Sequence, residues 1–260
     1  MSVELSIEQG LARIRLNRPK ALNALSFGIL GEMDAALDEI EQGIANGLVR
    51  GLIVTGEGDK AFCAGADITE LIGRPVLDEH TGAGIGQKVF ARIAALTVPS
   101  VAVIHGYAFG GGLELALACT FRIATMRARM GLPEVKLGLI PGYGGTQRLP
   151  RLIGEGRALD IIMSGRTVEA EEAERIGLIN RIVDQTDPVE LGAEFLAPFL
   201  KHSLAALDFA RQAITRGMQT SLDEGLRIER DLSTLAFQTA DAKEGMQAFV
   251  EKRPAHFKDQ

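Results

Sequence analysis

The sequence predicts an α/β core followed by a helical C-terminal region, and three observations support this fold class. Apolar runs of strand length recur through the first two thirds of the chain, for example at residues 48–55 and 101–106. Both of these runs lead into loops of small residues. Beyond residue 183 strand-like runs nearly vanish and helical spacing dominates. We therefore expect a core over residues 1–200 and a helical region over residues 201–260, whose apolar faces must pack on the core or on a neighbouring subunit.

The composition is typical of a soluble globular protein. The chain has 260 residues, of which 46% are hydrophobic, so it can bury a full core. Its formal net charge of −6 gives no global attraction for nucleic acid or for an anionic membrane. No apolar run approaches about 18 residues, and the N-terminus has neither a basic nor an apolar signal segment. We expect a cytoplasmic protein with no membrane or nucleic-acid partner and no cleaved leader.

The N-terminal residues predict a hairpin, a helix and a buried strand. Apolar and polar residues alternate from Val3 to Ile7, and Gln9-Gly10 can turn the chain into a second strand over residues 11–16. Ser26 can cap an amphipathic helix. The apolar positions of this helix share one face and are Leu30, Met33, Leu37, Ile40 and Ile44. Residues 48–55 then form a strand buried on both faces.

Residues 61–68 are rich in small side chains and lie just beyond that strand, where ligands bind in open parallel sheets. The glycine-containing residues 71–86 predict an irregular connection, with a helix following over residues 87–96. The succession of strand, strand and helix recurs, although the sequence similarity between copies is too weak to establish a repeat.

The centre of the chain runs from a strand into the glycines 110–112 and then into a helix over residues 113–119. Glycines at the mouth of a helix let a ligand approach backbone N–H groups that have no intrahelical partner, and such a mouth attracts negative charge. Two further strands, in residues 121–125 and 130–134, lead to a loop over residues 140–148. Glu114 lies in the first turns of the helix and Glu134 at the end of a strand.

The C-terminal region predicts four helices. One starts at Asp187-Pro188 and reaches residue 200, and Ser203 begins the second. Ser221 and Glu224 form the spacing of a capping box for the third, and Asp241 precedes a fourth that ends near residue 253.

Several motifs together carry a resemblance over essentially the whole chain. They occupy residues 17–25, 61–68, 106–114, 131–134, 138–149 and 246–253. On these motifs the chain resembles the enoyl-CoA hydratases of the crotonase superfamily. The resemblance implies a crotonase-like spiral of ββα units with a helical C-terminal region. It also implies assembly as a homotrimer or a dimer of trimers and an acyl-CoA substrate, with no metal and no cofactor apart from the coenzyme A of the substrate itself.

The resemblance also implies roles for individual residues. Ala66 and Gly111 match the backbone donors of the family's oxyanion hole, and Glu114 and Glu134 match its two catalytic glutamates. The remaining matches concern substrate and coenzyme A binding, with Phe249 and Lys252 expected to reach coenzyme A from the C-terminal region. These matches are Lys20, Ala21, Ala64, Asp67, Ile68, Gly110, Pro133, Gly142, Tyr143, Phe249 and Lys252.

The implied chemistry suits these residue types. Adding water across an α,β-unsaturated thioester places negative charge on the thioester oxygen, which two backbone donors can stabilise. One carboxylate must accept a proton from the attacking water while a carboxylic acid gives one to the α carbon. Neighbouring carboxyls tend to share a proton, which allows one base and one acid near neutral pH. By resemblance Glu114 activates the water and Glu134 donates the proton.

Other functions compete with this one. The glycines do not match the dinucleotide-binding or P-loop motifs. His105 could act as a general base, but a hydrogen-bonded core histidine is the better interpretation. Cys63 and Cys119 lack metal-ligand spacing and predict small buried thiols. A double-bond isomerase or another coenzyme A ester enzyme of the superfamily remains the nearest alternative, and an RNA-binding protein of the same fold is a more remote one that the acidic composition disfavours.

Overall fold

The computed structural model describes residues 1–184 and 186–259. Within them the chain forms two compact units. The first comprises residues 1–96 and 100–195, and the second comprises residues 97–99 and the chain from Leu196 onward.

The strands of the first unit form two sheets. In chain order they are β1 (Val3–Glu8), β2 (Leu11–Leu16), β3 (Gly51–Gly56), β4 (Ala61–Cys63), β5 (Ser100–Ile104), β6 (Tyr107–Phe109), β7 (Phe121–Thr125), β8 (Arg129–Gly131), β9 (Val168–Glu169) and β10 (Arg181–Val183). The six-stranded sheet has the order β1-β2-β3-β5-β7-β10, and the four-stranded sheet has the order β4-β6-β8-β9. The antiparallel hairpin predicted at the N-terminus is confirmed, with Val3 opposite Leu16.

The helices are α1 (Phe27–Ala45), α2 (Ile68–Leu71), α3 (Val76–Ala95), α4 (Gly111–Ala118), α5 (Gly145–Ile153), α6 (Glu155–Ser164), α7 (Ala170–Arg175), α8 (Pro188–Leu196), α9 (Leu204–Gly217), α10 (Leu222–Gln238) and α11 (Ala240–Glu251). Short 3-10 helices cover Pro19–Ala21, Glu134–Leu137 and Phe199–Lys201. The predicted caps at Ser26, Ser203 and Ser221 are confirmed, because each hydroxyl accepts a backbone N–H of the following turn.

A ββα unit recurs along the first unit of the chain. In the pairs β3/β4, β5/β6 and β7/β8, the first strands are parallel neighbours in the six-stranded sheet. The second strands are parallel neighbours in the four-stranded sheet. The repeat of strand, strand and helix expected from the sequence is therefore confirmed. Because Cys63 pairs with Ala108, the loops that leave β4 and β6 start side by side, and this adjacency creates the site described below.

The core of the first unit lies around the six-stranded sheet. All residues of β3 and β5 are buried, as expected of strands covered on both faces. The apolar face of α1, including Met33, Leu37 and Ile40, is also fully buried. The spacing of these three residues brings them to one side of the helix, as the sequence predicts.

The prediction of an irregular segment over residues 71–86 was wrong, because α3 already begins at Val76. Two of the glycines that suggested a loop, Gly82 and Gly86, lie inside the helix where aromatic rings pack against it. A Cβ added at Gly82 would lie 2.7 Å from the ring of Phe27, and one at Gly86 would lie 2.4 Å from the ring of Tyr143. Packing between elements outweighs the low helix propensity of glycine here.

Smaller boundary predictions also change. Glu134 belongs to a 3-10 helix and not to the end of a strand, and α5 begins at Gly145 inside the loop predicted over residues 140–148. Helix α8 ends at Leu196, short of the predicted residue 200. Thr239 caps α11, so Asp241 lies within its first turn.

The second unit contains α9, α10, α11 and the segment after them. Gly217 and Gly225 allow α9 and α10 to approach closely, since a Cβ on Gly225 would lie 3.5 Å from the Cα of Gly217. The final residues fold back on α11, where the carboxylate of Asp241 accepts the backbone N–H groups of Lys258 and Asp259. This carboxylate is almost fully buried, so the bonds fix the end of the described chain.

Candidate active site

The mouth of α4 is built from glycines, and the structure requires glycine at Gly110 and Gly112. Gly110 has φ of 51° and ψ of −127°, a backbone conformation that side chains disfavour. Its N–H donates to the carbonyl of Gly131 on β8. A Cβ on Gly112 would lie 2.0 Å from the carbonyl oxygen of Cys63 at the end of β4. This contact holds the first turn of α4 directly against the loop that leaves β4, and it fixes the position of the Gly111 N–H.

Ala66 directs its N–H toward the mouth of α4, where the Gly111 N–H lies. Ala66 forms a parallel bridge with Leu25, in which the Leu25 N–H donates to the Gly65 carbonyl and the Asp67 N–H donates to the Leu25 carbonyl. In a parallel bridge the middle residue directs its own N–H to the opposite side. A Cβ on Gly65 would lie 3.6 Å from the Gly111 nitrogen, so the loop after β4 is in contact with the loop between β6 and α4.

No backbone carbonyl in residues 1–184 and 186–259 accepts a hydrogen bond from the N–H groups of Ala66 and Gly111. Gly111 is buried at the N-terminus of α4, where the helix dipole adds positive potential. Two neighbouring donors without acceptors form a pocket for an oxygen that carries or gains negative charge.

Glu114 lies one turn into α4 and is 2% exposed. Its Oε1 accepts the N–H of Tyr143 at 2.8 Å and the N–H of Gly145 at 2.7 Å. The pKa of this carboxyl is raised to about 7, chiefly by burial and also by the negative charge of Glu134, while the two N–H donors and Arg148 oppose the shift. Glu114 therefore exchanges its proton near neutral pH while its orientation is fixed.

Glu134 follows Pro133 and begins the 3-10 helix, and its carboxyl lies next to Gly110 of the glycine cluster. Its Oε1 lies 3.0 Å from the position that a Cβ on Gly110 would occupy. Its Oε2 is buried and has no hydrogen-bond partner among the described residues. Burial raises the pKa of Glu134 above its usual value. An unpartnered buried carboxyl oxygen beside the glycine cluster is available to a substrate.

Titration of Glu114 should make the stability of the protein depend on pH. Its pKa is about 7 in the folded state against an ordinary value of 4.5, so the folded state binds the proton more tightly. This contribution to stability is complete below about pH 4.5 and is lost as the pH rises through about 7. Glu114→Gln cannot ionise, so it does not lose this contribution as the pH rises. We therefore expect the free energy of unfolding of the variant, relative to that of the unmodified protein, to increase by roughly 3 kcal/mol from pH 5 to pH 8.

Urea unfolding at several pH values measures this difference. Glu155→Gln is the matched control, because Glu155 is exposed in the first turn of α6 and should show no such pH-dependent gain. A constant difference between Glu114→Gln and the unmodified protein across this range would contradict the raised pKa.

The loop from residue 142 to 145 joins these elements to α3. The carbonyl of Gly142 accepts a hydrogen bond from Gln87 on α3 at 2.9 Å. Tyr143 is buried, and its ring meets that of Phe90 edge to face with centroids 5.7 Å apart. Arg148 donates to the carbonyl of Tyr143 at 3.0 Å, and so it holds the loop whose N–H groups bind Glu114.

The predicted coenzyme A residues of the first unit lie around residues 18–25 and 64–68. The N–H of Ala64 donates to the Leu22 carbonyl, which brings the loop after β4 beside the 3-10 helix that carries Lys20 and Ala21. Lys20 and Ile68 are exposed, whereas Ala64 is half-buried.

The Asp67 carboxylate is engaged inside the protein. Thr69 and the guanidinium of Arg18 hydrogen-bond to it and hold the pKa of Asp67 below its usual value. Its contacts in the structure therefore stabilise the loop.

Phe249 and Lys252 lie in the second unit. Phe249 is 85% exposed, and Lys252 ends α11 with φ of 54°. Their predicted contact with coenzyme A stays a prediction.

Sequence reasoning assigned no role to Arg148 or Asn23. The side chain of Asn23 is fully buried, and it accepts the N–H of Arg18 and donates to the carbonyls of Glu57 and Ala61, so it ties β4 to the preceding loop. A signal for Arg148 is present in the sequence, because it follows Gly144-Gly145 by one helical turn and can reach back to them.

Two interpretations of single residues are confirmed. His105 is a core histidine whose Nε2 lies 2.8 Å from the Gly58 carbonyl oxygen, and burial lowers its pKa. Cys63 and Cys119 are free, buried thiols, and burial raises the pKa of each to about 12. These groups are structural.

The site combines two carboxyls of raised pKa with two backbone donors without acceptors, an arrangement suited to acid–base catalysis. The enoyl-CoA hydratase/isomerase family model matches residues 6–260. The chain is 42% identical over 256 residues to a crotonyl-CoA hydratase of Syntrophomonas wolfei, covering 98% of this chain and 97% of that protein. It is also 42% identical over 252 residues to a short-chain-enoyl-CoA hydratase of Clostridium acetobutylicum, covering 97% and 95%.

Solved structures agree with these relatives. An enoyl-CoA hydratase from Bacillus anthracis superimposes with a TM-score of 0.94 at 38% identity, with both chains fully covered. This protein belongs to the enoyl-CoA hydratase/isomerase family and has the fold of the crotonase-type hydratases. Within the described residues, none of the helices combines the length and the apolar character that crossing a membrane requires.

Proposed function

We propose that the protein hydrates 2-enoyl-CoA thioesters to 3-hydroxyacyl-CoA. The observation that carries the proposal is the placement of two carboxyls of raised pKa, the buried Glu114 and the half-buried Glu134, beside a pair of backbone donors without acceptors. Hydration needs all of these groups at once, since charge develops on oxygen while one proton leaves water and another reaches carbon. The crotonyl-CoA and short-chain hydratases among its relatives support the same reaction.

In the proposed mechanism the thioester oxygen accepts hydrogen bonds from Ala66 and Gly111. Glu114, as carboxylate, takes a proton from water while the water oxygen bonds to the β carbon, and the π electrons shift to form an enolate on the thioester. Glu134, as carboxylic acid, then gives its proton to the α carbon. Glu114 ends protonated and Glu134 ionised, so transfer of one proton between them or through solvent restores the starting state.

The substrate contacts that the resemblance implies form part of the proposal. Lys20 provides an exposed cation for a coenzyme A phosphate, and the backbone around Ala64 and Ile68 lies next to its helix. We propose that Ala21, Asp67, Phe249 and Lys252 also lie in contact with coenzyme A, and that Gly110, Pro133, Gly142 and Tyr143 line the thioester site. No other cofactor is required, because coenzyme A arrives as part of the substrate.

The main alternative is a double-bond isomerase, which moves a proton between carbons and needs no activated water. An assay with both substrate types decides between them. Loss of the conjugated thioester chromophore of a four-carbon 2-enoyl-CoA reports hydration, and its appearance from a 3-enoyl-CoA reports isomerisation. We expect hydration to dominate by at least about 10²-fold, since each assisted proton transfer contributes on that order. Isomerisation faster than hydration would overturn the proposal.

We also propose that the protein assembles as a homotrimer or a dimer of trimers and acts in the cytoplasm in fatty-acid or related acyl-CoA degradation. Large apolar side chains exposed on the helices of the second unit support self-association. They include Ile214, Met218, Leu222, Leu226, Leu235, Phe237, Phe249 and Val250.

Removing the chain from Ser203 onward should abolish both assembly and activity. The helices lost are those whose exposed apolar faces we propose to bury between subunits. We expect an aggregated or monomeric product without hydratase activity, measured by light scattering after size exclusion and by the chromophore assay. A soluble, active monomer would contradict the assembly and also the proposed role of Lys252.

A further inference from the structure

Arg148 brings a cation from α5 against the loop over residues 142–145. Its Nη1 donates to the carbonyl oxygen of Tyr143 at 3.0 Å. The guanidinium also lies directly on Gly144, where an added Cβ would lie 2.2 Å from Nη1. Gly144 has φ of 114°, a backbone conformation that side chains rarely adopt. Glycine at this position therefore gives the loop its shape and leaves room for the guanidinium.

The carbonyl that Arg148 binds lies between the two backbone donors of Glu114. The Tyr143 N–H belongs to the peptide group before residue 143, and the Gly145 N–H belongs to the peptide group after Gly144. The peptide group between these two carries the Tyr143 carbonyl. Both N–H groups bind the same oxygen of Glu114, Oε1, at 2.8 and 2.7 Å. Because peptide groups are planar, fixing the middle one restrains both donors on Oε1.

Three titratable groups of the described residues act on Glu114. Glu134, from the 3-10 helix, raises the pKa of Glu114 by its negative charge, and Arg148 lowers it. Tyr143, from the loop before α5, keeps a neutral phenol near pH 7, because burial raises its pKa to about 12. The interaction is mutual, since the charge of Glu114 raises the pKa of Arg148 against the effect of burial. Arg148 thus supplies a positive charge that opposes burial and Glu134 at this carboxyl.

We propose, resting on the hydratase function above, that Arg148 is a positioning residue that keeps Glu114 in the ionised form able to take a proton from water. It acts through its charge and through the peptide group that joins residues 143 and 144. A carboxylate accepts N–H hydrogen bonds more strongly than a protonated carboxyl does, so both actions favour the same form of Glu114. Arg148 itself takes no proton in the reaction.

The pH dependence of kcat/KM for a four-carbon 2-enoyl-CoA measures this role. In the proposed reaction the acidic limb of the profile reports ionisation of Glu114, and the alkaline limb reports loss of the proton from Glu134. Arg148→Gln removes the charge but keeps an N–H donor, so the acidic limb should move up by about one pH unit. The ionised fraction of Glu114 at pH 7 then falls from about one half to about one tenth, so kcat/KM at that pH should fall about 5-fold. The alkaline limb should stay in place, because burial raises the pKa of Glu134.

Comparison variants separate the two actions of Arg148. Arg148→Lys keeps the charge, so its acidic limb should move less than that of Arg148→Gln. Arg148→Met removes the charge and the hydrogen bond, so its limb should move at least as far, and this variant serves if Arg148→Gln does not fold. Arg151→Gln is the matched control, because Arg151 is exposed on the same helix and donates to the carbonyl of Gln147. Solvent and salt screen an exposed charge, so both limbs of this control should stay within about 0.3 pH units of the unmodified enzyme.

The position of the acidic limb distinguishes this role from a merely structural one. A merely structural role would lower kcat/KM by the same factor at every pH and leave both limbs in place. That result in a folded Arg148→Gln or Arg148→Met protein, or a profile identical to that of the unmodified enzyme, would overturn the proposal. Failure of the unmodified enzyme to hydrate the four-carbon substrate at any pH would instead overturn the hydratase function.

Discussion

Replacing either Glu114 or Glu134 with glutamine should lower kcat for hydration by at least about 10²-fold. Glutamine keeps the shape of the side chain, and its carbonyl can still accept the N–H groups of Tyr143 and Gly145 that bind Glu114. It cannot gain or lose a proton at neutral pH. The loss should therefore appear in kcat, while the affinity for a coenzyme A ester stays within a few-fold.

The double variant should be hardly slower than the slower single variant. The two carboxyls act in one proton cycle, and groups that act as a unit give effects that do not add. Glu155→Gln is the control, because Glu155 is exposed and lies on α6, outside the site. Full hydration activity in Glu114→Gln would overturn the assignment of the base.

The same variants distinguish a hydratase from an isomerase. An isomerase would lose activity in Glu134→Gln, yet Glu114→Gln would still move a double bond between the 3 and 2 positions at nearly full rate. A hydratase loses hydration in both variants. Assaying both variants with a 2-enoyl-CoA and a 3-enoyl-CoA therefore gives a different result for each function.

Local patterns predict much of this fold because its strands are buried in a regular way. Strands β3 and β5 are continuous apolar runs, and α1 carries its apolar residues at helical spacing behind the cap of Ser26. These features depend on neighbours in sequence, so composition and periodicity reveal them. The motifs around Gly111 and Glu114 are local in the same way, since a glycine-rich mouth and a carboxylate one turn later lie within a single helix.

Features that depend on distant contacts could not be predicted. From the sequence alone, Gly82 and Gly86 favour a loop. Only the structure shows that the rings of Phe27 and Tyr143 pack against them within α3. Arg148 stabilises the site by a hydrogen bond to the carbonyl of Tyr143, and Asn23 by one to the carbonyl of Ala61. The periodicity of the sequence does not indicate either contact. The raised pKa of Glu114 has the same origin, because its largest cause is burial by the assembled fold and not a neighbour in sequence.

Two glycines of the site are required for different physical reasons. Gly110 is required by its backbone conformation, with a positive φ, whereas Gly112 is required by space, because Cys63 approaches it across the junction of β4 and α4. Together they place the N–H of the intervening Gly111 beside that of Ala66. The proposed oxyanion pocket is thus a product of the ββα repeat, in which the ends of β4 and β6 are neighbours.

Replacing Ala66 with proline should lower kcat/KM by at least about 10²-fold, because it removes one of the two backbone donors to the thioester oxygen. The bridge to Leu25 uses the carbonyl of Gly65 and the N–H of Asp67, so proline at position 66 breaks no hydrogen bond of that bridge. Gly65, with φ of 108°, also carries no side chain to collide with the proline ring.

Ala66→Ser is the matched control, since serine keeps the N–H and adds only one oxygen atom to the side chain. We expect it to retain activity within about 10-fold, well above Ala66→Pro. Unfolding in urea and circular dichroism establish that both variants fold, and kcat/KM with a four-carbon 2-enoyl-CoA measures the effect. Near-normal turnover by a folded Ala66→Pro protein would show that the charge on the thioester oxygen is stabilised elsewhere, because a proline nitrogen cannot donate a hydrogen bond.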